Sequence, residues 1–184
     1  MSKSIEVKVQ ELWDKSEITE IMYKFARSLD RVDGELMKST YWEDAIEEHQ
    51  DPIYPEQFFY NGNAHTFVPI AMKGFETLKV SHHRIANPMI ELDGNIARAE
   101  AYVYAYHIHE EDGIDKEGIL LGRHHFIFEK REDVWKIKHR STIFDSNQNQ
   151  DGTAIWSDNY SDKYRSKRNY SDDSYNYIEK EKKL

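Results

Sequence analysis

The chain has 184 residues, which is enough for one domain with a substantial core. Its formal net charge of −9, from 34 acidic and 25 basic side chains, disfavours nucleic acid or an anionic membrane as the main partner, because phosphate binding needs clustered Lys and Arg. It contains no cysteine, which excludes a disulfide scaffold, a thiolate metal site and a cysteine nucleophile, and its 13% aromatic content predicts a core built around rings.

The chain is predicted to open with a helical hairpin. Between Ser16 and Asp30 the apolar residues recur at the spacing of a helix with one buried face. These residues are Ile18, Ile21, Met22, Phe25, Ala26 and Leu29. Asp33 is expected to cap a short second helix that continues to Tyr41.

The second half is predicted to form an antiparallel sheet. An Asn61–Gly62 turn and a short helix over residues 70–78 precede it. Turn residues at Asp93–Gly94 and at residues 131–133 separate long runs that are typical of strands. The predicted strands are Pro88–Leu92, Ile96–His109, Ile119–Lys130 and Val134–Phe144. Helices first and a sheet second indicate an α+β fold, with one curved sheet and helices on one of its faces.

The end of the chain is predicted to stand apart from this domain of residues 1–146. Residues 147–184 hold few aliphatic side chains but several rings among Asp, Asn, Ser and Lys. These rings belong to Trp156, Tyr160, Tyr164, Tyr170, Tyr175 and Tyr177. Such a segment is either disordered or an arm that lays its rings on a neighbouring surface, and the density of rings favours the arm.

Asp30 is the most informative single residue of the sequence. It follows Met22 and Ala26 at intervals of four, so its carboxylate projects from the buried side of the first helix. It also lies at the helix C-terminus, where the macrodipole disfavours an anion, so a cationic or protonatable group should face it. The alternative is that the helix ends earlier and the carboxylate binds loop amides.

Two further positions are candidates for chemistry. His82 and His83 are adjacent, so at most one of them points inward from an extended segment. Arg140 lies in the last predicted strand, where alternation places it opposite the apolar residues Trp135 and Ile137. An inward Arg140 therefore requires a β-bulge, and the alternative is an outward cation.

A metal site is the competing interpretation. His107 and His109 are spaced to point the same way from one strand, with Glu111 close by, and His124 or His125 on the next strand could complete a site for zinc, iron or manganese. The chain has nine histidines, which makes chance pairs easy, so solvated or cross-strand histidines are the simpler explanation.

The sequence lacks the signature motifs of several classes of protein. There is no phosphate-binding glycine loop and no GxSxG turn, which argues against a nucleotide-binding protein and a serine hydrolase. No apolar run approaches the ~18 residues of a membrane span, and the start lacks the apolar core of a secretory leader. We therefore expect a cytoplasmic protein.

Three motifs in this order resemble the SnoaL-like branch of the NTF2-like superfamily: RSLDRVDGELMKSTYWEDA, SHHRIANPMIELDGNIARAEA and VWKIKHRSTIFD. Its members include scytalone dehydratase, the LinA dehydrochlorinase, bile-acid dehydratase and ketosteroid isomerase. The resemblance covers roughly residues 8–146. It implies a cone in which a strongly curved, mostly antiparallel sheet wraps around N-terminal helices and encloses one apolar pocket.

The resemblance also implies residue roles. By motif position, Asp30 would orient a histidine that removes a proton, His83 would be that base, although His82 is one residue away, and Arg140 would help to bind the leaving group or a developing anion. This chemistry needs no cofactor and no metal. Its substrate would be a small, cyclic, hydrophobic molecule.

The rings expected to line such a pocket are Tyr23, Tyr41, Trp42, Phe58 and Phe67. Core packing explains them equally well. The leading hypothesis is a cofactor-free lyase, either a dehydratase or a dehydrohalogenase. The alternatives are a ketosteroid-isomerase-like enzyme and a member that only binds a ligand or supports a partner enzyme. Members of the family form dimers or trimers, so a homo-oligomer is expected.

Overall fold

The computed structural model describes residues 3–50, 58–152, 166–172 and 174–176. Its helices and strands, in chain order, are α1 (Ile5–Arg31), α2 (Gly34–Ser39), β1 (Tyr41–Gln50), β2 (Phe58–Asn63), α3 (Ala64–Glu76), β3 (Val80–Asp93), β4 (Ile96–Glu111), β5 (Ile114–Arg131) and β6 (Val134–Asp151). Among the described residues, no helix is both long and apolar enough to cross a membrane.

The helical hairpin forms as predicted, with a longer first helix. The Ser4 hydroxyl accepts the Val7 amide hydrogen, so α1 begins well before the apolar repeat. The helix ends where Val32 adopts a left-handed conformation, with a φ of 53°. Asp33 caps α2 by accepting from the Leu36 amide, which confirms the predicted cap. The later helix, α3, also begins before its predicted start, because Asn63 caps it.

The strands form one six-stranded sheet in the order β2-β1-β6-β5-β4-β3. All neighbouring pairs are antiparallel except β1 and β6, which are parallel. Positive φ angles at Gly94, Glu132 and Asp133 form the two tight turns that the sequence predicts. The predicted α+β fold and its antiparallel meander are therefore confirmed.

Strands β1 and β2 are absent from the sequence prediction, which placed Tyr41 in a helix. In β1 the pattern of polarity is reversed: the side chain of Glu47 is buried and that of Ile46 is exposed. An alternation of apolar residues therefore gives no signal there. The predicted turn at Asn61–Gly62 is also wrong, because both residues pair with β1 inside β2.

Strand β3 begins at Val80, eight residues before the predicted Pro88. Its first part pairs with the far end of β4, from Tyr102 to Ile108. The break in the pairing register lies between Ala86 and Met89, next to Asn87, whose φ is 51°. The Asn-Pro sequence thus marks a bulge within one long strand and not the start of the strand.

The core lies between α1 and the concave face of the sheet. Alternate residues of β4 point inward, and most of them are alanines: Ala97, Ala99, Ala101, Val103 and Ala105. These short side chains leave room for the rings of Phe25, Phe126 and Phe128. The ring-rich core expected from the composition is observed.

Asp14 fixes the middle of α1 to the sheet. Its Oδ1 accepts hydrogen bonds from Trp135 Nε1 at 2.9 Å, Lys130 Nζ at 3.1 Å and Gln10 Nε2 at 3.1 Å. Burial raises the pKa of the Asp14 carboxyl, but the bonds from Trp135, Lys130 and Gln10 outweigh burial and leave this pKa below its ordinary value.

The lowered pKa of Asp14 predicts how the stabilising effect of this carboxyl depends on pH. Folding lowers the pKa of Asp14. Its contribution to the free energy of unfolding is therefore complete above the unfolded-state pKa of 3.8 and is lost as the pH falls through the lower native-state pKa. Asp14→Asn should therefore unfold at lower urea than the wild type at pH 7, and the gap should narrow as the pH falls below about 4. Glu20→Gln, on the exposed side of α1, serves as the control. A gap that is independent of pH would contradict this role.

Part of the predicted arm docks on its own chain. Strand β6 continues to Asp151, past the predicted boundary at residue 146. Further on, the hydroxyls of Tyr170 and Tyr175 donate to the carboxylate of Asp33 at 2.9 and 2.7 Å, and Arg27 packs over the Tyr175 ring. Four of the six predicted anchor rings lie outside the described residues: Trp156, Tyr160, Tyr164 and Tyr177.

Arg168 connects this segment by hydrogen bonds to the C-terminal ends of α1 and α3. Its guanidinium donates to the carbonyl oxygens of Phe75 and Leu78 at 2.7 and 2.6 Å, and to those of Leu29 and Asp30 at 3.2 Å. These carbonyls lie at or just beyond the C-termini of α1 and α3, where the α-helical hydrogen-bond pattern ends.

Arg168→Ala should lower the free energy of unfolding by about 2 kcal/mol, because several acceptors lose a charged donor. Urea denaturation measures the effect. Lys167→Ala removes an exposed neighbouring cation and should change the stability little. A stability of Arg168→Ala equal to that of the wild type would show that the Arg168 contacts do not stabilise the fold.

Candidate active site

Asp30 and His83 form a hydrogen-bonded pair at the junction of α1 and β3. His83 Nδ1 lies 2.7 Å from Asp30 Oδ1, and both side chains are largely buried. The helix extends through Asp30, whose carboxylate faces a protonatable ring as the sequence analysis expected. The alternative interpretation also holds in part, because the carboxylate accepts the backbone N–H of His83 at 3.0 and 3.1 Å.

The carboxylate determines the orientation of the His83 ring. Asp30 also accepts the Ser81 hydroxyl at 3.0 Å, so three donors converge on it from one stretch of β3. An ionised carboxylate only accepts hydrogen bonds, so in the neutral ring Nδ1 carries the proton and Nε2 keeps its lone pair. His82 points the other way and is exposed, in agreement with the predicted alternation.

His83 lines an interior cavity of about 140 Å³. Most of its wall is apolar, with Leu29, Met37 and Phe75 on the helical side and Val103, Ala105 and Leu120 on the sheet. The polar side chains in the wall are His49, His83, His107, His124, Arg140 and Thr142. A small apolar molecule with one or two polar atoms matches this composition.

Arg140 enters the same cavity wall because β6 contains a bulge. Ile127 of β5 pairs with His139, but Phe128 pairs with Ile137, so Lys138 is an extra residue in β6. Beyond it the alternation of faces is inverted, and the Arg140 side chain is only 3% exposed. The expectation from simple alternation that Arg140 points outward is wrong for this reason.

Every nitrogen of the Arg140 guanidinium has a described partner. Nε and Nη2 bind the two carboxylate oxygens of Glu47, Nη1 lies 3.0 Å from both His124 Nδ1 and Thr142 Oγ1, and Nη2 lies 3.0 Å from His49 Nε2. Arg140 is thus built into the wall as a fixed cation.

The ion pair of Glu47 and Arg140 is the electrostatic centre of the cavity. Burial alone would raise the pKa of the Glu47 carboxyl, but Arg140 and His49 lower it below its ordinary value. Burial would lower the pKa of Arg140, and Glu47 raises it above its ordinary value. Tyr41 donates to Glu47 at 2.7 Å, and burial raises its pKa well above 10.0.

Two cavity histidines have no partner at one ring nitrogen. Nε2 of His107 and Nε2 of His124 are buried and bind no described group. Burial lowers the pKa of His107 to about 4, with a further contribution from His83. Burial also lowers the pKa of His124 well below 6.5, and Arg140 adds to this effect. Burial thus favours the neutral form of both rings.

The rings predicted to line the pocket are distributed over several places. Phe67 lines the interior cavity, and Tyr23 lines an outer groove next to Asp30 and His83. Tyr41 lies outside the cavity wall, in the core beside Phe25. Trp42 also lies outside it and donates from Nε1 to the Glu129 carbonyl. The side chain of Phe58 lies outside the described residues.

The residues proposed as metal ligands do not assemble. His124 points into the cavity, whereas His125 faces away and binds Glu100 at 2.8 Å. His107 lines the cavity and His109 does not. Within the described ranges, no group of three or more His, Asp or Glu side chains is placed to hold a metal ion.

Sequence reasoning missed Glu47, His49 and Thr142, and it considered His107 and His124 only as metal ligands. Glu47 lies in the strand whose polarity is reversed. Strand alternation could have located His107 and His124. His107 lies at an even spacing from the inward alanines of β4, and His124 at an even spacing from the inward rings of β5, so both are placed on the inward face.

Comparison with protein families gives one match, to the SnoaL-like domain, over residues 10–141. No curated protein matches the chain significantly in sequence. Solved structures with 13–20% sequence identity also match the chain.

Three of these structures illustrate the likeness. A provisionally assigned scytalone dehydratase from Novosphingobium aromaticivorans has a TM-score of 0.65 and 19% identity, covering 77% of this chain and 90% of that one. The LinA-type3 hexachlorocyclohexane dehydrochlorinase from Novosphingobium barchaimii has a TM-score of 0.63 and 15% identity, and the match covers 80% of this chain and 96% of that one. An NTF2-like protein with a cystatin-like fold from N. aromaticivorans has a TM-score of 0.61 and 13% identity, and the match covers 76% of this chain and 87% of that one.

Proposed function

The chain belongs to the SnoaL-like domain family, and from this premise we propose that it is a cofactor-independent lyase that eliminates water or a halide from a small cyclic substrate. The single observation that carries the proposal is the 2.7 Å contact between His83 Nδ1 and Asp30 Oδ1 at the wall of an apolar cavity. A histidine held in this way is oriented to accept a proton at Nε2.

The proposed reaction begins with removal of a carbon-bound proton by His83 Nε2. The electron pair of the broken C–H bond forms the new double bond, and the bond to the leaving group breaks. For a hydroxyl leaving group, the proton taken by His83 returns to the departing oxygen, and water is the second product. A halide departs as the anion, and His83 then releases its proton to the solvent. Asp30 stabilises the imidazolium that exists between these steps.

The apolar wall supports this chemistry in two ways. It keeps the cavity side of the base apolar, and it increases the effect of the nearby fixed charges. Nη1 of Arg140, the guanidinium nitrogen that does not bind Glu47, lies 3.0 Å from His124 Nδ1, and its partial positive charge favours negative charge that develops on that side of the cavity.

The experiment uses a model β-hydroxyketone that suits the cavity. 3-Hydroxycyclohexanone loses water to give cyclohexenone, whose conjugated enone is followed by ultraviolet absorbance. The wild type should form the enone above the buffer rate, and His82→Asn should match it, because the side chain of His82 is exposed. Tight binding of the ketone with no enone and no loss of the α-proton would instead favour a ligand-binding protein.

An isomerase is the second candidate, and the same dyad supports it. If His83 removes a proton and returns it to another carbon, a β,γ-unsaturated ketone becomes conjugated without loss of a leaving group. Formation of the conjugated product from 3-cyclohexenone, with no dehydration of 3-hydroxycyclohexanone, would favour this activity. The expected homo-oligomer, dimer or trimer, and the expected cytoplasmic location stay predictions.

A further inference from the structure

Of the two cavity histidines whose Nε2 has no described partner, His124 is the one that contacts Arg140. Its side chain lies on β5 and is 6% exposed, and Nε2 is buried without a described partner. A buried polar group with no partner is costly, so a ligand atom that pairs with this nitrogen would be stabilised in the cavity.

The tautomer of His124 is determined by its neighbour. Arg140 Nη1 lies 3.0 Å from His124 Nδ1, and a guanidinium can only donate hydrogen bonds. Nδ1 must therefore be the acceptor, and in the neutral ring the hydrogen is on Nε2. His124 consequently presents a hydrogen-bond donor to the cavity, and it is not a base.

Arg140 does not offer a comparable donor of its own. Its nitrogens already bind Glu47, Thr142 and His124. The remaining Nη2 hydrogen faces His49 Nε2 at 3.0 Å, and that ring nitrogen also lies 2.7 Å from Glu47 Oε1. A direct contact between Arg140 and a ligand would need one of these buried bonds to break. The bond to His124 instead polarises the imidazole and makes Nε2–H a stronger donor.

We propose that His124 binds the acceptor oxygen of the substrate through Nε2–H and that Arg140 acts on the substrate through His124. This inference rests on the proposed function of the same site and narrows its substrate class to cyclic molecules that carry a carbonyl or hydroxyl oxygen. In the elimination, His124 would hold the carbonyl oxygen that receives negative charge when His83 removes the neighbouring proton.

The tautomer can be tested in the wild-type protein without any substrate. Long-range ¹H–¹⁵N NMR correlations distinguish a ring protonated at Nε2 from one protonated at Nδ1. We expect His124 to be neutral and protonated at Nε2 at pH 7. Protonation at Nδ1, or a doubly protonated ring, would overturn the proposal.

The ligand contact can be tested with two molecules of the same shape. Cyclohexanone carries the acceptor oxygen, and methylenecyclohexane has a CH₂ group in its place. The dissociation constants of both are measured by NMR titration for the wild type and for two variants. His124→Asn keeps an acceptor for Arg140 but has no donor at the position of Nε2, whereas His124→Gln extends an amide donor toward it.

In His124→Asn the affinity for cyclohexanone relative to methylenecyclohexane should fall about five- to tenfold, the effect of one lost hydrogen bond. His124→Gln should retain the wild-type ratio within about twofold. An unchanged ratio in His124→Asn, or no binding of cyclohexanone by the wild type, would overturn the proposal.

These measurements are independent of turnover. The same ratio measured in His83→Asn should equal that of the wild type, since the base takes no part in binding the oxygen. If the protein catalyses no elimination but the ratio of the two affinities depends on His124, the proposed function is wrong and the proposed oxygen-binding role of His124 is supported. If elimination proceeds and the ratio does not depend on His124, only this inference fails.

Discussion

His83→Asn is expected to lower the rate of dehydration of 3-hydroxycyclohexanone by about 10²- to 10⁴-fold, the usual contribution of a general base. Asparagine has no basic nitrogen, but its backbone N–H can still bind the carboxylate of Asp30 as that of His83 does. The free energy of unfolding should therefore change much less than the rate. Enone absorbance and urea denaturation measure the two effects.

The adjacent histidine provides a matched control. His82→Asn makes the same substitution one residue away, on the exposed face of β3, and should keep the wild-type rate. Asp30→Asn should lower the rate while leaving Nε2 in place, because the partner of Nδ1 loses its charge. If His83→Asn keeps at least half of the wild-type activity, another group is the base.

Glu47→Gln is expected to lower the free energy of unfolding by about 3–5 kcal/mol, because it leaves the buried charge of Arg140 without its counterion. Both side chains are almost completely buried, at 0% and 3% exposure, so water cannot replace the lost carboxylate. Urea denaturation should show a lower midpoint with little change in slope.

The neighbouring strand position again offers a control. Glu48→Gln removes a half-exposed carboxylate that lies 3.1 Å from His139, and it should cost less than about 1 kcal/mol. Exchange of both Glu47 and Arg140 for apolar residues of similar size, Leu and Met, should recover part of the lost stability. A Glu47→Gln protein within about 1 kcal/mol of the wild type would show that Arg140 does not depend on Glu47 as its counterion.

The sequence predicts one half of the candidate site for physical reasons that are easy to state. Asp30 follows from helical periodicity, since a carboxylate in line with Met22 and Ala26 must face inward. The opposite orientations of His82 and His83 follow from strand alternation, although the predicted start of the strand, Pro88, lies eight residues after the observed start. The choice between the two histidines rested on a family resemblance.

The other half depends on features that alternation cannot reveal. Arg140 faces inward only because Lys138 is an extra residue in β6. Glu47 is buried because a cation from another strand meets it, so the polarity of β1 is reversed and the strand was missed. Contacts that are distant in sequence determine both positions, and a local pattern contains no information about them.

The central claim is that His83 removes a carbon-bound proton, and it is tested most directly by exchange of the α-protons of cyclohexanone in D₂O. Mass spectrometry follows the incorporation of deuterium, which requires proton removal but no leaving group. The account predicts exchange well above the buffer rate with the wild type and with His82→Asn, and exchange at the buffer rate with His83→Asn. Exchange by His83→Asn at the wild-type rate, or none by a wild type that binds the ketone, would contradict it.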